Sequence, residues 1–177
     1  MNKSKEVNNK QSLSTIYNGV FISKDAFGEI FNESINEKLL LCPVDGYFLT
    51  KKQYQALQKT NQDLGNDNML ISITEYEDMF SIDSEHWEIE NDLDYEEYIK
   101  LGIFLENAIY SNKGWGILIS HEEHAVIGGS SLFVETFKKY YSSWEEDIIR
   151  FDEMWDDNHE EYGSDIQWIE GFKKTLE

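Results

Sequence analysis

A chain of 177 residues with 40% hydrophobic and 14% aromatic side chains has apolar material for one folded core, so its formal charge of −20 does not signal disorder. That charge excludes ordinary phosphate-backbone binding, which needs Lys and Arg to replace counterions, and it disfavours docking on anionic lipid. The single Cys42 permits no internal disulfide, no apolar run reaches the length of a membrane span, and residues 1–12 carry no apolar signal stretch, so a cytoplasmic protein is expected.

In chain order, residues 1–14 are rich in Asn, Lys, Ser and Gln and read as a flexible tail, with a single domain over 15–177. Residues 16–22 hold two β-favouring pieces around Asn18-Gly19, a pair suited to a tight turn. Asp25 can cap a helix to about Lys38, with Phe27, Ile30, Phe31 and Ile35 on one face. Residues 39–42 read as a buried strand in which Cys42 acts as a small apolar side chain, 43–46 as a turn, and 47–49 as a second strand. Thr50 and Gln53 have the spacing of a capping box for a helix ended by Gly65-Asn66. Residues 69–73 predict a strand. Residues 75–94 show no firm period and read as loop with short helical turns. Asp94 and Glu97 then predict a helix to about Tyr110, burying Tyr98, Leu101, Leu105, Ala108 and Ile109.

The stretch from Trp115 to Tyr141 is the most regular. Ile117-Leu118-Ile119 and Ala125-Val126-Ile127 are apolar runs of strand length, and the polar His121-Glu122-Glu123-His124 between them fits a hairpin turn. After Gly128-Gly129, Ser130 or Ser131 can cap a helix with Phe133, Phe137, Tyr140 and Trp144 on its apolar side. Trp144, Ile148, Phe151 and Trp155 repeat at helical spacing, and Ile166, Ile169, Phe172 and Leu176 dock a last helix. Strands and helices mix without βαβ repetition, which predicts an α+β fold: a small, mostly antiparallel sheet with helices packed on it.

The charge is unevenly placed. Residues 1–74 hold eight acids and eight bases, and 111–143 hold three of each. The excess sits in 75–110, with twelve acids and one base, and in 144–177, with twelve acids and three bases. The candidate contacts for a basic protein partner are therefore Glu75, Glu77, Asp78, Asp83, Glu85, Glu88, Glu90 and Asp92 in the first segment. In the second they are Asp152, Glu153, Asp156, Asp157, Glu160 and Glu161. Trp87 and Trp155 are candidate aromatic anchors among them, although Trp155 fits a core position equally well. No catalytic residue, metal or cofactor is assigned. His121 and His124 are spaced i, i+3 across a turn rather than i, i+4 on a helix, and Gly128-Gly129-Ser130-Ser131 lacks the lysine of a phosphate loop. A phage-type DNA mimic, or a small hydrolase using His121, His124 or His159, are the alternative readings.

The run Gly114-Trp115-Gly116-Ile117-Leu118-Ile119-Ser120-His121-Glu122, followed by Ala125-Val126-Ile127-Gly128-Gly129 and a Phe-bearing helix, resembles the C-terminal part of small bacterial immunity proteins. These antitoxins are encoded beside polymorphic toxins, including the LXG type. The resemblance covers about thirty residues and implies a cytoplasmic α/β antitoxin that binds and blocks a cognate toxin domain, often a nuclease. It supplies no contact residues, but it gives the acidity a purpose, since nucleases present basic clefts to their polyanionic substrates.

Overall fold

The computed structural model describes residues 3–177. Among the described residues, seven strands form one sheet: β1 (Ser4–Glu6), β2 (Glu37–Leu41), β3 (Asn68–Ile73), β4 (His86–Glu90), β5 (Asn107–Ser111), β6 (Trp115–Ile119) and β7 (Ala125–Gly129). Their spatial order is β1-β4-β3-β5-β6-β7-β2, and every pairing is antiparallel. The helices are α1 (Lys10–Asn18), α2 (Lys51–Asp63), α3 (Tyr95–Tyr98), α4 (Ser131–Tyr140), α5 (Trp144–Tyr162) and α6 (Ile169–Lys174). The class is α+β, as the sequence predicts.

Helices cover both faces of the sheet. Leu39 and Leu41 of β2, Ile71 of β3, Ile117 of β6 and Ile127 of β7 turn to α2 and α4, where they meet Tyr54, Leu57, Phe133 and Phe137. The alternate residues, Leu40, Tyr110, Leu118 and Val126, turn to α1, α5 and α6, where they meet Tyr17, Phe151, Trp155 and Phe172. A strand buried on both sides needs no polar face, so β6 and β7 are buried throughout and read as apolar runs rather than alternations, while β5 is buried to its polar ends, Asn107 and Ser111.

Gly116 and Gly128 stand opposite each other on β6 and β7, on the α1 side of the sheet. The Phe21 ring lies where a Gly116 Cβ would be, with Cζ at 2.5 Å, and the Phe31 ring lies likewise over Gly128, at 2.8 Å. These two rings stack at 5.4 Å, so bare backbone forms the seat for an aromatic pair.

Several expectations are corrected. The tail predicted for residues 1–14 includes residues 1 and 2, which lie outside the described residues. The rest of that stretch contains β1 and most of α1, because Leu13 and Tyr17 reach the core and the Asn9 side chain caps the helix by accepting from Ser12 N–H. The Asn, Ser and Lys content that reads as tail is capping and edge-strand chemistry. Residues 16–22 likewise hold the end of α1, with only Phe21 in a β-bridge to Phe31. Residues 25–36 are not helical: Asp25 and Asn32 accept from Phe27 and Ser34 N–H in tight side-chain turns, and the apolar residues between wrap over the glycine seat. Residues 47–49 make a turn closed by an Asp45–Phe48 bridge rather than a strand.

The acidic segment contains β4, whose Trp-Glu-Ile-Glu alternation is that of a strand. The helix predicted from Asp94 stops after one turn at Tyr98; Gly102 follows with φ +75°, and 107–111 become the strand between β3 and β6. On α5 the buried positions are Asp147, Phe151 and Trp155, while Ile148 is turned outward. Asp147 accepts from Cys42 N–H at 3.0 Å and from Tyr141 Oη at 2.8 Å, tying the start of α5 to the end of β2.

Candidate functional site

The second acidic segment is gathered by one helix. α5 is about 28 Å long at 1.5 Å per residue. Phe151 and Trp155 fix its inner side, so the residues 3, 4, 7 and 8 positions apart on the opposite side face outward. Glu145, Glu146, Glu153, Asp156, Asp157, Glu160 and Glu161 are all exposed there, together with Ile149 and Arg150. Arg150 is the one Arg or Lys on the helix, and it pairs with Glu146 at 3.1 Å. Asp152 points elsewhere, to Lys173 of α6 at 2.8 Å. Beyond Trp155 the helix projects with little covering it, and Gly163 closes it in the left-handed conformation (φ 69°). Trp155 is buried against Phe151 and Trp168, so it is a core residue and not an exposed anchor.

The first acidic segment is divided. β4 carries the chain across the sheet, about 14 Å over its five residues. Glu75, Glu77, Asp78, Asp83 and Glu85 lie before it in the β3–β4 loop; Glu90 and Asp92 lie at the far end. Several are occupied. Glu75 accepts from Glu106 N–H at 2.8 Å, Asp78 from Phe80 N–H at 3.0 Å and Glu85 from the Tyr76 hydroxyl at 3.0 Å. Glu88 pairs with Lys5 of β1 and Asp92 with Lys3, the residue before that strand. Trp87 is half-buried against the α2 side of the core. The acids expected to act as two patches thus form one continuous face, on α5, and a scattered set. That the segment folds back through a strand has no charge signature, whereas the α5 face is readable from the i, i+3, i+4 spacing of its acids.

The opposite layer is close to balance, its lysines on α2 and α4 being met by Glu96 and Glu97 of α3. α2 presents Lys51, Lys52 and Lys59 against one Asp, and α4 presents Lys138 and Lys139 against one Glu, whereas α5 holds nine carboxylates and one Arg.

The histidines do not converge. His121 is exposed, with Nδ1 on Glu106 and Nε2 3.1 Å from Glu122, and these carboxylates raise its pKa. His124 is buried beneath Phe27, Phe151 and Phe172, with Nε2 2.9 Å from the Ala26 carbonyl. His159 is exposed on α5 and binds the Ser164 carbonyl. Among the described residues, no three His, Cys, Asp or Glu side chains gather as a metal site requires.

A serine–histidine network overlooked in the sequence lies under α1. Ser72 Oγ is 2.6 Å from His86 Nδ1 and 2.7 Å from Tyr110 Oη, and Ser84 Oγ is 2.8 Å from His86 Nε2. These groups are buried, with the Phe80 ring stacked on the imidazole, so no substrate reaches them. Partners 14 and 38 residues apart leave no local motif. Burial, reinforced by the Lys10 charge, lowers the His86 pKa to about 4, against a small opposing effect of the Met79 backbone.

The unfolded chain therefore takes up a proton near pH 6.5 that the folded chain refuses until about pH 4, and stability contributed by neutral His86 is lost as pH falls through that window. The full shift corresponds to roughly 3 kcal/mol; with Lys10 partly solvated, a loss of about 2 kcal/mol is expected by pH 4. Denaturation curves from pH 7 to 4 for wild type and His86→Gln measure it, the variant starting lower but falling less. An imidazole that titrates near pH 6 by NMR would contradict the assignment.

Comparison with protein-family models, with curated proteins and with solved structures returned no match. Among the described residues, no helix is long and apolar enough to cross a membrane.

Proposed function

We propose that this chain is an immunity-type antitoxin, a cytoplasmic binding protein rather than an enzyme, that occludes the basic surface of a cognate toxin, a nuclease domain, with the outward face of α5. The α5 face carries this reading: seven exposed carboxylates on one side of a projecting helix, with a single Arg among them. Such a field accelerates encounter with a cationic protein and orients it. Exposed Ile149 and Tyr162 add apolar area beside the charges. The resemblance of residues 114–141 to immunity proteins supports the toxin as partner.

The DNA-mimic reading also draws on α5, because its acids form a row. A duplex presents two rows of phosphate, however, and the divided first segment supplies no second one, which favours a protein surface.

The test is binding to the product of the neighbouring reading frame. The association rate is expected to fall at least tenfold between 50 and 500 mM salt, and again on reversing Asp156 and Asp157 to lysine. Salt-independent binding that survives the reversal would falsify the α5 mechanism. Competition with DNA for many unrelated DNA-binding proteins would point to the mimic instead.

A further inference from the structure

β1 buries none of its three side chains. Lys3 Nζ lies 2.6 Å from an Asp92 oxygen and Lys5 Nζ 2.8 Å from Glu88, both at the surface, where an ion pair contributes little. Glu90 N–H donates to the Lys3 carbonyl at 2.8 Å, and Val7 N–H to the His86 carbonyl at 3.0 Å. The edge of β4 is thus covered by a short extended segment whose alternate lysines meet carboxylates on and just beyond β4.

A groove of about 810 Å³ adjoins this edge, between α2 and the chain leaving β4. Its lining includes the amides of Gln55 and Gln62 and the carboxylates of Asp67, Glu90, Asp92 and Asp94, with Lys59 on the α2 wall. Its walls are pinned together: Gln58 Nε2 donates to the carbonyls of Asn91 at 2.6 Å and Leu93 at 2.9 Å, and Asn91 Nδ2 donates to the Gln58 carbonyl at 2.8 Å. Each side-chain amide offers one donor group and one acceptor, the complement of a peptide bond, and each carboxylate matches a Lys or Arg. A sugar would call for an aromatic platform, and no aromatic side chain lines the groove.

We propose that the β4 edge and this groove form a strand-exchange site. An extended segment of a protein partner, with Lys or Arg at alternate positions, displaces β1, pairs with β4 and runs on into the groove. β1 shows the binding mode in cis. The site stands apart from α5, which packs on β2; five strand spacings, about 24 Å, separate β2 from β4. It holds whether or not α5 meets a toxin.

The probe is the peptide acetyl-Ser-Lys-Ser-Lys-Ser-Lys-amide, titrated into the full chain by calorimetry and by NMR. Removing the cis lysines in Lys3→Gln/Lys5→Gln is expected to raise probe affinity at least fivefold. Lys52→Gln/Lys174→Gln, the same charge change elsewhere, should alter it less than twofold. Backbone shifts should concentrate in residues 86–92. A peptide of equal charge with Nα-methyl-lysine in place of each lysine, and so without the N–H donors that take the Lys3, Lys5 and Val7 places facing β4, should bind at least tenfold more weakly. Equal gain in the two charge variants, equal binding of the N-methylated peptide, shifts centred on α5, or no binding to either lysine variant would each overturn the proposal.

Discussion

Alanine at both Gly116 and Gly128 is expected to destabilise the fold by about 4 kcal/mol, at 1–3 kcal/mol for each overpacked position. A methyl at Gly116 meets Phe21 Cζ at 2.5 Å and Val20 Cγ1 at 2.8 Å; at Gly128 it meets Phe31 Cζ at 2.8 Å and Ile35 Cγ2 at 2.9 Å. The rings have little room to swing away, since Tyr17 lies 4.6 Å from Phe21 and Tyr110 stands edge-on to it. Denaturant titration measures the loss. Coupling checks the cause: Gly116→Ala should cost less in a Phe21→Leu background, by 1 kcal/mol or more, because the two sites are in contact. Gly171, with no atom within 4 Å of its would-be Cβ, is the control, and Gly171→Ala should be neutral or slightly stabilising. If Gly116→Ala proved as mild as Gly171→Ala, the aromatic seat would be wrongly placed.

Neutralising the end of α5 should move stability and binding in opposite directions. Asp156→Asn, Asp157→Asn, Glu160→Gln and Glu161→Gln remove like-charge neighbours at i, i+4, including 156 with 160 and 157 with 161. They also remove negative charge from the end of a helix whose own carbonyls are already negative there. With a few tenths of a kcal/mol from each pair and each end charge, the quadruple variant should gain about 2 kcal/mol at low ionic strength, most of it vanishing in 1 M salt. The same variant should associate with a basic partner at least ten times more slowly. Acids placed where they strain their own helix are what a binding role retains against stability. A variant no more stable than wild type would remove that argument.

What could be read from residue order alone was local. Thr50 and Gln53 announced α2 and its capping box, which is present; Ser130 caps α4 by accepting from Phe133 N–H. The β6–β7 hairpin followed from two apolar runs around a polar turn. What could not be read depended on distant partners. Tyr98, Leu101, Leu105, Ala108 and Ile109 suit a helix by spacing, but the gap between β3 and β6 takes 107–111 as a strand. Phe27, Ile30, Phe31 and Ile35 also suit a helix, yet their environment is set by glycines about a hundred residues away. Of the candidate site, the α5 acids were legible because one helix keeps them in phase. The division of the first acidic segment was not, because charge composition masked the alternation of β4.

The lysines of α2 and α4 on one side of the sheet and the carboxylates of α5 on the other mean that the molecule is not merely negative but electrically lopsided. In the field of a cation-rich surface it experiences a torque as well as an attraction. It would rotate as it drifts inward, so that first touch is made helix α5 foremost, and fewer collisions would be wasted on the wrong side.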